Sequence, residues 1–227
     1  ELRGTSGTGI TVNSGASGSV IKGLVINSFG WNGVYLNGAT NVTIQNNYIG
    51  TNAAGTAANA NANVGIYIGT GSSSTITGNV IAGNTTASGI YIESGANSNT
   101  IISNKIGLNA AGTAALANYW GIYAENNNNV IGGSGTGNVI SGNENAGIYL
   151  SGTGNGVYGN YIGTNAAGTA AVANGWTGIM LAGGSNVIGA ASIPNVISGN
   201  VDAGIDIENT TGNTIISNYI GLNAAGT

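Results

Sequence analysis

The octapeptide Ile-Gly-(Thr/Leu)-Asn-Ala-Ala-Gly-Thr occurs four times in this chain, beginning at Ile49, Ile106, Ile162 and Ile220, at spacings of 57, 56 and 58 residues. Self-similarity at such a period marks an architecture of stacked units, each touching mainly its neighbours. A finer signal, Gly-(Ile/Val)-x-(Ile/Leu/Val) with Ala124 closing one copy, begins at Gly9, Gly33, Gly65, Gly89, Gly121, Gly147, Gly178 and Gly204. Its separations are 24, 32, 24, 32, 26, 31 and 26 residues, so long and short units alternate. The octapeptide falls only in the long ones. It reads as a decoration of every second unit, least required by the fold, forming a lateral contact ridge with teeth roughly 9.6 Å apart.

Each unit carries two further apolar segments. One is the pair Thr43-Ile44, Thr75-Ile76, Thr100-Ile101, Val130-Ile131, Val187-Ile188 or Thr214-Ile215, and the other opens with Asn-x-Ile. Three short period-2 strands per coil, divided by Gly, Asn and Ser turns, predict an all-β solenoid, a parallel β-helix of about eight coils. In Gly65-Ile66-Tyr67-Ile68, alternation sends Ile66 and Ile68 to the interior and Tyr67 outward. The third strand opens on Asn47, Asn79, Asn104, Asn138, Asn160, Asn195 and Asn218, with Leu24 as the exception. An amide both donates and accepts, so asparagines stacked ~4.8 Å apart form a structural ladder.

The strings Asn-Thr-Ile-Ile-Ser-Asn-Tyr-Ile-Gly (213–221) and Gly-Asn-Val-Ile-Ser-Gly-Asn (137–143), the latter followed by Gly147-Ile148-Tyr149-Leu150, carry a family resemblance. They resemble the right-handed parallel β-helix repeats of large bacterial secreted and surface proteins. The likeness spans about residues 9–227. The same broad superfamily includes pectate lyases, polygalacturonases and alginate epimerases. The resemblance implies the right-handed, single-stranded form of the fold and an extracellular or cell-surface location, but no particular activity.

Composition narrows the functions. Charged residues make up 4% of the chain, against about 25% in ordinary domains. With Lys+Arg 3, His 0 and a net charge of -4, nucleic acid is not an expected partner. Zero Cys removes disulfides and thiolate metal sites. No apolar run approaches the ~18 residues of a membrane span, so no membrane insertion is expected. No cofactor is implied.

The polysaccharide-cleaving β-helix enzymes use clustered acids. Asp206 and Glu208, two apart on one strand, would point outward about 6.6 Å apart, near the range of an inverting glycosidase pair. They are weak catalytic candidates in a chain expected to be non-catalytic. Glu93 and Glu125 each lie four residues past a coil's glycine in adjacent coils, stacked at roughly 5 Å, and are weak candidates for Ca²⁺. No metal site is expected. Tyr35, Tyr67, Tyr91, Tyr123 and Tyr149 share one outward position, continued by Met180 and Asp206, with Trp31, Trp120 and Trp176 close by. Such a face either stacks on sugar rings or a partner, or serves only to brace the sheet. Thr75 and Thr77 are too few for an ice-binding array, and the sequons at Asn41, Asn84 and Asn209 are what an Asn/Thr-rich repeat produces by chance.

The resulting expectation is a single β-helix over residues 1–227, with coils starting near residues 9, 33, 65, 89, 121, 147, 178 and 204. It would be a segment of a longer chain, residues 1–32 forming an atypical opening coil, or a unit associating head-to-tail or laterally. The eight residues before Gly9 match the seven or eight that follow each internal octapeptide, which suggests continuation in register. The expected role is a non-catalytic structural or adhesive element, such as a stalk, filament or adhesin segment. The alternative is polysaccharide binding or cleavage through the Tyr/Trp face and Asp206/Glu208.

Overall fold

The computed structural model describes residues 1–227 as a parallel β-helix of 25 strands and one short 3-10 turn at Ser14–Ala16. Three sheets run its length. The first holds the strands that follow the coil glycines, Ile10–Asn13, Val34–Asn37, Ile66–Thr70, Ile90–Ile92, Ile122–Ala124, Ile148–Leu150, Ile179–Leu181 and Ile205–Ile207. The second runs from Val20–Lys22 to Thr214–Ile215. The third has nine strands, from Leu2–Arg3 and Val25–Asn27 to Tyr219–Ile220. Every strand pairing is parallel and, apart from a shift that sets Asn37 opposite Thr70, joins equivalent residues, as in Ile90↔Ile66 and Ile90↔Ile122, because a one-residue slip would turn the isoleucines outward. The interior is a set of apolar columns, with Ile26, Ile44, Ile66, Ile68, Ile76, Ile81, Ile101 and Ile106 all fully buried. Each is worth roughly 1.5–3 kcal/mol. The second sheet also contains Val20–Lys22 and Gly156–Tyr158, whose apolar pairs the sequence pattern missed.

The corners decide how the chain turns. Before the second strand, Asn41, Ser73, Ser98, Asn128, Gly154, Ser185 and Gly212 take positive φ, and before the third, Gly23, Asn46, Gly78, Ser103, Gly159 and Ser217 do the same. Left-handed backbone suits Gly and, by local hydrogen bonding, Asn. It also turns N–H and C=O groups into the interior, where they need partners.

Asparagine supplies them at all three corners. In the expected ladder each Oδ1 accepts from the backbone N–H and the Nδ2 of the preceding rung, as Asn104 Oδ1 does from Asn79 at 2.9 and 3.0 Å. The Nδ2 also reaches back a coil, Asn79 donating to Ile44 O at 2.9 Å. The chain repeats this through to Asn218, and Leu24 joins only as a donor, its N–H meeting Asn47 Oδ1 at 3.0 Å. A second ladder, Asn61, Asn84, Asn118, Asn143, Asn174 and Asn200, lies between the third strand and the next coil. A third, Asn99, Asn129, Asn155, Asn186 and Asn213, precedes the second strand, with Ser74 as its first rung. Asn84, a sequon residue, is thus fully buried and engaged.

The octapeptides are not the dispensable part of the fold that their alternation suggests. Each is a small hairpin. Asn52 Oδ1 accepts from the Thr56 N–H at 2.9 Å, the Gly55 N–H reaches Asn52 O at 2.9 Å, and Thr51 bridges Ala58. Asn109, Asn165 and Asn223 repeat the side-chain bond to Thr113, Thr169 and Thr227. Successive hairpins touch directly, Ala110, Ala166 and Ala224 donating their N–H to the carbonyls of Gly55, Gly112 and Gly168 at 2.8, 2.9 and 2.9 Å. Each hairpin therefore fills the height of two coils. Thr51, Leu108 and Thr164, at the hairpin base, are buried.

The register of the first residues also departs from expectation. Leu2↔Ile26 and Arg3↔Asn27 are pairs of the third sheet, so residues 1–8 contain a strand that the stretches after Thr56 or Thr169 lack. Equal length does not make them equivalent.

Candidate binding face

The first sheet places Tyr35, Tyr67, Tyr91, Tyr123 and Tyr149 opposite one another, with Thr11 before them and Met180 and Asp206 after. Their ring centroids lie 5.0, 5.1, 5.2 and 4.6 Å apart, and only the last pair is close to coplanar, at 23°. The column is a continuous run of ring contacts, three tilted and one stacked, each worth about 0.5–1.5 kcal/mol beyond burial.

Trp120 is the hub of the lower end, with centroids 5.7 Å from Tyr123, 5.3 Å from Tyr149, 5.8 Å from Tyr119 and 6.5 Å from Trp176. Trp176 Nε1 donates to Asp202 at 3.0 Å. Tyr119 was not singled out from the sequence, although it adjoins Trp120. Trp31 makes no ring contact and is 57% exposed. It walls a groove of about 420 Å³ with Thr8, Asn32, Tyr35, Asn63 and Tyr67. Asn63 and Tyr67 are shared with a second groove of about 400 Å³ that includes Thr86, Tyr91, Tyr119, Trp120 and Glu125. The two make one trough along the column.

Glu93 and Glu125 follow the paired strands Ile90–Ile92 and Ile122–Ala124, so they occupy equivalent positions one coil apart. Their surroundings are phenols. The Tyr67 hydroxyl donates to Glu93 at 2.7 Å. Burial first, then this hydrogen bond and the Glu93 charge, push Tyr67 well above the ordinary phenol value. Tyr91 moves the same way through burial and then Glu125, and Tyr123, buried beside the same carboxylate, is pushed up to about 12.

Because the folded values are raised, the associated stability is present in full below the unfolded phenol value near 10 and is lost as pH rises through the folded values. Circular dichroism should show unfolding setting in above about pH 10. The Glu93→Gln variant should bring phenolate absorbance of Tyr67 in at lower pH than wild type.

Asp206 lies at the end of the tyrosine column, half-buried and in register with Met180, while the exposed Glu208 follows the strand with its N–H on Leu181 O at 2.8 Å. Neither lines a groove. No group of three or more His, Cys, Asp or Glu is gathered as a metal site.

A family model described as the right handed beta helix region matches residues 1–129. The chain belongs to that family. The searches of curated proteins and of solved structures found no match to this right-handed β-helix. No helix in it is long and apolar enough to cross a membrane.

Proposed function

We propose that this right-handed β-helix is a non-catalytic structural and adhesive element of an extracellular, bacterial-type surface protein, used as a stalk or filament segment. The observation that carries this reading is the set of three buried asparagine ladders running from coil to coil. They spend the chain's polar groups on axial cohesion. The acids are drawn into the same task, Glu93 holding Tyr67 and Asp202 holding Trp176. Few Lys or Arg residues offer trypsin-like proteases a cleavage site. Self-association, end to end or side by side, belongs to this role. A panel of neutral and acidic soluble polysaccharides incubated with the protein should yield no cleavage products. Cleavage abolished by Asp206→Asn would overturn the reading.

The Trp31 groove supports a second reading, glycan binding. Among the aromatic residues of this face, Trp31 is the most exposed and has no ring neighbour, whereas Tyr119, 40% exposed, packs on Trp120. Any glycan affinity should fall on Trp31→Ala and survive Tyr91→Ser, which lies outside the Trp31 groove, as read by isothermal calorimetry.

A further inference from the structure

Charge on this molecule is segregated by face. Glu93, Glu125, Glu144, Asp202, Asp206 and Glu208, six of the seven acids, lie on first-sheet strands, directly after them, or in the turns that lead into them. Arg3 and Lys105 belong to the third sheet and Lys22 to the second, so none of the three bases shares that face. The aromatic trough runs along it. Trp31 and Tyr119 each stand two residues before their coil's glycine, and the two coils between them carry only Asn63 and Ala87 at that place. The trough therefore has aromatic walls three coils, roughly 14 Å, apart along the axis, with smaller side chains between them.

At the Tyr119 wall three rings meet at steep angles, Trp120 standing 85° to Tyr119 and 72° to Tyr123 with centroids 5.8 and 5.7 Å away. Tyr119 is 40% exposed, and Glu125, which follows the strand of Tyr123, lines the same groove. A guanidinium suits both groups, because it is planar and weakly hydrated, stacks on an aromatic face, and turns a fork of N–H donors to a carboxylate. We infer that the trough is a docking surface for an extended, arginine-bearing segment of another protein, one guanidinium lying on Tyr119 against Glu125 and another on Trp31. Four residues of extended chain rise about 13.5 Å and return to the same side, so arginines four apart reach both walls. The acidic face draws such a segment in and turns acidic ones away. The inference names a partner for the adhesive part of the proposed role and rests on that reading. It is read by peptide binding and the reading by polysaccharide cleavage, so either can fail alone.

The probe is the peptide acetyl-Arg-Gly-Arg-Gly-Arg-amide, titrated by isothermal calorimetry at low salt. It should bind, more weakly as salt is added, and its glutamine counterpart should not. Tyr119→Leu, which removes the ring but keeps apolar bulk, should weaken binding by roughly two- to fivefold, while Tyr119→Phe should retain it. Glu125→Gln should weaken it by up to about fivefold, whereas Glu208→Gln, on the same face but outside the trough, should leave it unchanged. Each variant is compared at unchanged circular dichroism. No binding by the wild-type chain, or equal effects of Glu125→Gln and Glu208→Gln, or indifference to Tyr119→Leu, would overturn the inference. So would cellohexaose binding that Tyr119→Leu weakens while the peptide gives no heat, which would assign the trough to a glycan.

Discussion

Replacing Asn104 by Leu should destabilise the β-helix by about 3–5 kcal/mol, among the largest losses available to a single side chain that never meets solvent. Asn104 is fully buried in the middle of its ladder. Its Oδ1 accepts from both the backbone and the amide of Asn79, and its Nδ2 donates to Ile76 O, Ile102 O and Asn138 Oδ1. Leu has similar bulk and no polar atom, so these partners would be stranded away from water, each at about 1–3 kcal/mol. Leu24 stands at the equivalent place in the first coil without such a cost because it is 38% exposed and water can reach the groups it does not serve. Urea unfolding of Asn104→Leu beside Asn37→Leu, an exposed strand position, measures the difference. Equal midpoints would refute the ladder's energetic role.

Gly107→Ala should cost about 3 kcal/mol, and Gly221→Ala about 1, although both are the second residue of the same octapeptide. Both glycines take positive φ, 84° and 75°, so both variants carry the backbone penalty. Only at Gly107 would the added carbon also meet the next coil, 2.4 Å from Ser141 O and from Asn143 Oδ1. Nothing lies within 4 Å at Gly221. The excess at Gly107 measures how tightly a hairpin root is pressed onto the coil after it, and thermal melts of the two variants give it directly.

Much of this architecture was legible because the repeat forces equivalent residues into contact. Once Gly33, Gly65 and Gly89 were aligned, alternation alone placed Tyr35, Tyr67 and Tyr91 in one column, and the parallel register does the same. The ladder from Asn47 to Asn218 was legible because its residue keeps a constant offset from an isoleucine. The other two ladders were harder to see. Asn84, Asn143 and Asn200 follow a positive-φ glycine, whereas Asn61, Asn118 and Asn174 follow an alanine beyond a hairpin, so the offset changes in every second coil. The third ladder was hidden by its first rung, where Ser74 stands in place of Asn.

The face itself was harder to read than the fold. Sequence spacing puts aromatic residues side by side, but whether their faces or edges meet solvent depends on side-chain tilt. The observed interplanar angles, from 23° to 56°, are set by packing that no period encodes. Likewise, stacking Glu93 over Glu125 suggested a shared cation, whereas the tyrosines of the preceding coil, Tyr67 for Glu93 and Tyr91 for Glu125, had already claimed them.

The hairpins also limit how such a chain can change in length. Each is hydrogen-bonded to the next across an intervening short coil and fills the space of two coil heights. Excising one coil, such as residues 65–88, would drive two hairpins into one slot, whereas excising residues 65–120 would bring Ala166 onto Gly55 as a like-for-like replacement for Ala110. The permitted increment of growth or loss is therefore a pair of coils. The solenoid lengthens in steps of about ten ångströms, like a staircase whose treads come only in twos.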